Sequence, residues 1–103
     1  MADFMKILQQ AQEMQGRFQK LQDELQLQTV KASSGGGMVT VEANGQGTIR
    51  SIKIDPSVVN PADVEMLEDL LLVAVSEAQK KAQEAAQAEM GKLTGGLPFK
   101  LPF

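Results

Sequence analysis

The chain has no cysteine, no histidine, no tryptophan and no tyrosine, and each absence removes a class of function. Without cysteine there is no disulfide, no thiolate nucleophile and no sulfur-ligated metal, which fits a reducing cytoplasm. Without histidine the commonest general base is missing, and with both residues gone so are the usual zinc ligands. Any catalysis would have to run on carboxylates and lysines. Aromatic residues make up only 4% of the chain against 43% apolar residues overall, so the core must be aliphatic and methionine-filled. Long apolar runs are lacking too. The longest, Leu70 to Val75, is far too short to cross a bilayer, and the N-terminus has no basic region leading into an apolar one, so a cytosolic protein is expected. An excess of positive charge is also missing: the net charge is −3, which argues against a uniformly basic nucleic-acid binder.

The length of 103 residues allows one domain, read as residues 1–94 with a flexible tail at 95–103. A chain this short buries only roughly 60–65% of its unfolded surface. An oligomer, by default a dimer, is the natural way to gain buried area.

Met38 to Asp55 organises the rest. Two β-branched runs flank Asn44-Gly45, the dipeptide best suited to a type I′ turn, so the stretch reads as an antiparallel hairpin. Val39, Val41 and Ala43 share one face of its first strand, and Ile52 and Ile54 share a face of its second. Ile49 is out of phase with that pair, which predicts a bulge or register adjustment, placed at Gly47. Gln28 to Ser33 reads as a third strand, with Val30 and Ala32 on one side and Thr29 and Lys31 on the other. Ser33-Ser34-Gly35-Gly36-Gly37 turns it back toward the hairpin. A glycine-rich loop invites a phosphate cradle, yet this one lacks the Gly-Lys-Ser/Thr ending and leads into a strand, so it reads as a hairpin loop. The three strands form an antiparallel meander.

Before the sheet, Phe4, Ile7, Ala11, Met14, Phe18, Leu21 and Leu25 alternate three and four apart. This is the heptad seam of a long helix packed lengthwise on another, with Asp3 as its expected N-cap. Glu13 with Arg17, and Lys20 with Glu24, stand four apart and would support its exposed face. Gly16 falls on the outer side. The intervening glutamines read as a solvated face, although their amides could also meet a polymer backbone. After the sheet, Asn60 is the expected N-cap of a second helix, with Pro61 in its first turn and Asp63 near its positive end. Val64, Leu67, Leu71, Ala74 and Ala78, widened by Leu70 and Val75, predict a deeply buried first half. Ala82, Ala85 and Ala86 continue the stripe with little area to bury. Gly95-Gly96 is the expected stop, followed by Leu-Pro-Phe-Lys-Leu-Pro-Phe.

Candidate chemistry is sparse. Glu65 and Asp69, four apart beside Glu68, could ligate a hard cation or pair as acids, but acids at a helix start are expected for the dipole alone. Lys80-Lys81 is the only adjacent basic pair, with Glu77 and Glu84 at salt-bridging spacing. No enzyme, no cofactor, no metal and no small-molecule substrate is expected. Charge is unevenly spread, however. Residues 28–54 hold Lys31, Arg50 and Lys53 against Glu42, a balance of +2, whereas residues 55–94 hold three lysines against eight acids, a balance of −5.

The long Gln- and Met-rich helix, Gly-Gly-Met-Val-Thr-Val-Glu-Ala-Asn-Gly, Ile-Lys-Ile-Asp-Pro-Ser-Val-Val, Glu-Met-Leu-Glu-Asp-Leu, Lys80-Lys81 and the terminal Pro-Phe-Lys-Leu-Pro-Phe together resemble the YbaB/EbfC family of bacterial nucleoid-associated proteins. The likeness covers nearly the whole chain. It implies an α+β fold of order α-β-β-β-α, an intertwined homodimer with helices between two sheets, and a tweezer-like shape that binds double-stranded DNA in the nucleoid and alters its conformation. Phosphate contacts would then come from Lys6, Arg17 and Lys20 on the first helix, Lys31, Arg50 and Lys53 on the sheet, or Lys80 and Lys81, doubled by symmetry. No helix start carries a cluster of Arg and Asn, so low sequence specificity, weak salt-sensitive binding and a nucleoid-organising or broadly regulatory role are expected. The rival reading is a dimeric protein-interaction module that uses the helical seam and the Phe-tipped tail.

Overall fold

A computed structural model describes residues 2–94 of the chain. The stop at Gly95-Gly96 and the tail at 95–103 lie outside the described residues. The elements run α1 (Ala2–Leu27), β1 (Thr29–Ser34), a short 3-10 turn at Gly35–Gly37, β2 (Val39–Asn44), β3 (Ile49–Ile54), a second 3-10 turn at Pro56–Val58, and α2 (Val64–Thr94). The strands form one antiparallel sheet in the order β1-β2-β3, so the expected α-β-β-β-α order and meander are what the chain adopts.

Alternation along the strands sets the two faces of this sheet. Ala32 stands opposite Val41, which stands opposite Ile52, and Ser34 opposite Val39, which stands opposite Ile54. Val30, Ala43 and Ile49 complete the same face, because the register slips between Glu42 and Ala43 and leaves Arg50 as the extra residue. A bulge is therefore present where the phase of Ile49 required one. It sits at Arg50, while Gly47 supplies a left-handed φ of +88° in the adjoining loop. That loop corrects the expected type I′ turn: neither Asn44 nor Gly45 has positive φ, and Gly45 to Thr48 form a longer connection. The nearly buried Asn44 carboxamide organises it, its Oδ1 accepting from the backbone N–H of Gln46 at 2.9 Å and of Thr48 at 3.0 Å.

α2 lies across β1 and β2. Ala74 and Ala78, both 0% exposed, and Ala82 put only methyl groups at the contact, so the helix backbone sits close over Ala32, Val39 and Val41. Burying Val39 and Val41 contributes about 1.5–3 kcal/mol each. Leu67, Leu70, Leu71 and Val75 flank that line and are only half-buried, so the first half of α2 is less enclosed than its spacing suggests. One helix is too narrow to cover three strands. Ile52 and Ile54, on the inner face of β3, consequently stay exposed.

The start of α2 also differs from expectation. Asp63 is the N-cap, its Oδ1 accepting from the Met66 N–H at 3.2 Å, and Asn60 instead closes the preceding turn by accepting from Ala62 N–H at 3.0 Å. Pro61 belongs to that turn and not to the helix. Replacing Asp63 with Ala is expected to cost about 1 kcal/mol. A thermal melt should show a fall of several degrees. Asp3 likewise lies inside the first turn of α1 and does not cap it.

The glycine loop has a packing role. Gly35, at φ +60°, leaves room for Leu70, whose Cδ2 would stand 2.8 Å from an added Cβ, and the Ser34 hydroxyl donates to the Leu70 carbonyl at 2.6 Å. The turn at Asp55 closes the same end of the sheet, with the Asp55 N–H donating to the Met38 carbonyl at 2.7 Å. Its carboxylate, held below the ordinary value of 3.8 mainly by the Ser57 backbone N–H, accepts that bond at 2.8 Å. This support is present at neutral pH and is lost as acid titrates the group.

Candidate nucleic-acid interface

Of the heptad seam on α1, only Leu21 and Leu25 are buried, with Leu25 beside Gln79, Gln83 and Ala86 of α2 and the β2–β3 loop. Phe4, at 62%, and Ile7, at 61%, are open to solvent, and Phe18 is exposed as well. α1 is thus an arm rooted at its last turns, in a molecule that measures 72 × 23 × 16 Å. At 100° per residue, Lys6, Arg17 and Lys20 fall within about 60° of one another around the helix axis, with Arg17 roughly 90°, Lys6 roughly 110° and Lys20 roughly 150° from the centre of the apolar seam. All three are exposed. Glu13 and Glu24 occupy the same sector, yet neither expected pair, Glu13 with Arg17 or Lys20 with Glu24, closes into an ion pair.

The outer face of the sheet collects a second group. Thr29, Lys31 and Ser33 of β1, Thr40 and Glu42 of β2, and Ser51 and Lys53 of β3 alternate with the core residues and so point away from α2. Lys31 pairs with Glu42 across the strands at 3.2 Å, whereas exposed Lys53, opposite Thr40, has no acid partner among the described residues. The Ser33 and Thr40 hydroxyls lie 3.2 Å apart. Hydroxyls between lysines are donors that phosphate oxygens accept from, and charge alone does not reveal them. The period-two pattern Thr-Lys-Ser, Thr-Glu, Ser-Lys was the signal that could have found them.

Three of the expected phosphate-contact residues are engaged by the protein itself. Lys81 donates through Nζ to the Lys31 carbonyl at 2.7 Å, tying α2 to the edge strand instead of meeting Glu77 or Glu84. Arg50 donates to the Gln26 carbonyl at 3.3 Å, and Lys31 shares its charge with Glu42. Lys80 is exposed on the side of α2 away from the sheet. The eight cations therefore divide into an arm group of Lys6, Arg17 and Lys20, a strand group of Lys31, Arg50 and Lys53, and Lys80 and Lys81 on α2. They do not converge on one patch.

The acids at the start of α2 take ordinary roles. Asp63 is a cap, and among the described residues no set of three His, Cys, Asp or Glu side chains is disposed to hold a metal ion. Nor, among those residues, is any helix long and apolar enough to cross a membrane.

The profile of the YbaB/EbfC DNA-binding family matches residues 1–97. This chain belongs to that family. A nucleoid-associated protein of Gemmatimonas aurantiaca is 55% identical over 103 residues, covering 98% of this chain and 99% of that one. Another, from Thermodesulfovibrio yellowstonii, is 60% identical over 99 residues, covering 96% and 85%. A crystal structure of an uncharacterized Helicobacter pylori protein superposes with a TM-score of 0.82 at 26% identity, covering 89% of this chain and 97% of that chain. For a YbaB/EbfC chain the charge division matters. Only the strand region is net positive, for α1 sets Lys6, Arg17 and Lys20 against Asp3, Glu13, Asp23 and Glu24, and the acidic excess lies along α2.

Proposed function

We propose that this YbaB/EbfC protein acts as a homodimer that binds double-stranded DNA in the nucleoid with low sequence specificity and changes its path, influencing gene expression broadly. The observation that carries this reading is the grouping of exposed Lys6, Arg17 and Lys20 on one side of α1, clear of its apolar seam. A second copy that covers the seam leaves Lys6 and Lys20 open, with Arg17 at the edge of the contact. Leu72 and Val73, exposed on the side of α2 away from its own sheet, offer a matching apolar surface. Pairing there would set both α2 helices between two sheets and leave each hydroxyl-and-lysine face outward.

Low specificity follows from the chemistry of the helix starts. The first turns of α2 hold Asp63, Glu65, Glu68 and Asp69, a charge that phosphates repel, so this end cannot enter a major groove as a recognition helix. What remains is a set of lysines, arginines and hydroxyls suited to the phosphate backbone.

The test is a mobility-shift titration on two duplexes of unrelated sequence, with sedimentation equilibrium on the free protein. Equal shifts on both duplexes by a species of twice the chain mass are expected. Duplex left unshifted even at low salt would instead favour a protein-interaction module, for which the exposed apolar arm is the motivating feature.

A further inference from the structure

The geometry points to Gly45, Gln46 and Arg50 as positioning residues for DNA engagement: they clasp the end of α1 and set the direction in which the arm leaves the body. This inference rests on the DNA-binding reading above. The last turns of an α-helix leave carbonyls without helical partners. Here the Leu25 and Gln26 carbonyls, and that of Gln22 one turn earlier, receive donors from Gly45 and Gln46 of the β2–β3 connection and from Arg50 of β3. Gly45 N–H donates to the Leu25 carbonyl at 2.8 Å, Gln46 Nε2 to the Gln22 carbonyl at 3.1 Å, and the Arg50 guanidinium to the Gln26 carbonyl at 3.3 Å. The loop making the first two of these bonds is itself held by Asn44, which is only 2% exposed. Upstream of Leu21 the arm has no buried side chain among the described residues, so its direction is decided at this root.

Gly45 is the sharpest point of the contact. A Cβ there would stand 2.8 Å from the Leu25 carbonyl oxygen and 3.0 Å from Leu25 Cδ2, too close for either to stay in place. Its φ is not in the left-handed region, so alanine fits the loop's own backbone and only the approach of α1 forbids it. An arm of 26 residues is a long lever. At 1.5 Å per residue, a tilt of about 5° at the root moves the tip by roughly 3 Å. The tip carries both the seam and Lys6, so the tilt changes where the arm cations stand relative to the sheet cations.

The experiment uses the full chain, whose lack of cysteine allows clean labelling at Gln10→Cys on α1 and Gln87→Cys on α2, both exposed positions. Doubly labelled protein, diluted into unlabelled protein, reports the arm-to-body distance within one chain. G45A should shift that distance and weaken affinity for a duplex about fivefold or more, with sedimentation mass unchanged. Q46A, which removes the two bonds from Nε2 to Gln22 without adding bulk, should do the same to a smaller degree and carries the test if G45A does not fold. Both substitutions are neutral, so lost affinity cannot be a lost phosphate contact. An unchanged distance overturns the inference. So does a shifted distance with wild-type affinity, or a fall in mass that accounts for the lost binding. Wild-type protein that fails to shift duplex at low salt defeats the DNA-binding reading instead, and the distance measurement, which needs no DNA, still decides the clasp.

Discussion

Raising monovalent salt from about 50 to about 200 mM should weaken binding to duplex DNA by roughly a hundredfold, as expected if about four phosphates are neutralised at each site. The free cations set this number. Lys6, Arg17, Lys20 and Lys53 are exposed and unpaired among the described residues, whereas Arg50 and Lys81 are bonded to carbonyls, Lys31 is shared with Glu42, and Lys80 shares the side of α2 on which Leu72 and Val73 would meet a second copy. A pair of chains doubles the set, but one duplex cannot meet both halves of every group. Single variants should separate the roles. Lys53→Gln should lower the slope of log affinity against log salt by about one, and Glu42→Gln should tighten binding by releasing Lys31. Anisotropy titrations at several salt concentrations would measure both. Affinity indifferent to salt would mean that these cations do not meet phosphates.

Ala78→Leu should destabilise the fold by about 3 kcal/mol, the upper range for forcing extra methylenes into a packed interior. Ala78 is 0% exposed, and its cluster includes Ala32, Val41 and Ala74, so leucine has nowhere to go unless α2 lifts from the sheet. For a domain whose whole stability is about 5–15 kcal/mol, that is a large share. Urea unfolding should show a lower midpoint with an unchanged slope, and Gln79→Leu, one residue along at an exposed position, should cost little. A leucine at position 78 as stable as the wild type would contradict the close approach of α2 to β1 and β2.

Much of this architecture was legible in the chain. Alternating β-branched residues define both sheet faces, and the misplaced phase of Ile49 required the bulge that appears at Arg50. The three-and-four spacing marks both helices, and the small residues at 74, 78 and 82 mark where α2 comes closest. Local competition accounts for the errors. Asn60 and Asp63 are both good caps three residues apart, and which one starts α2 depends on where the chain leaves the turn at Asp55 to Val58. Asn44-Gly45 suits a tight turn, but Gly45 is needed beneath Leu25, so the connection lengthens to Gly47 and Thr48.

Composition and periodicity settled the elements, their faces and the exclusion of cysteine and histidine chemistry, because these depend on neighbours a few residues apart. Only the tertiary structure decided which cations remain free. Lys81 meets a carbonyl 50 positions away and Arg50 one 24 away, and contacts at such separation arise from how the elements pack, which no local pattern encodes.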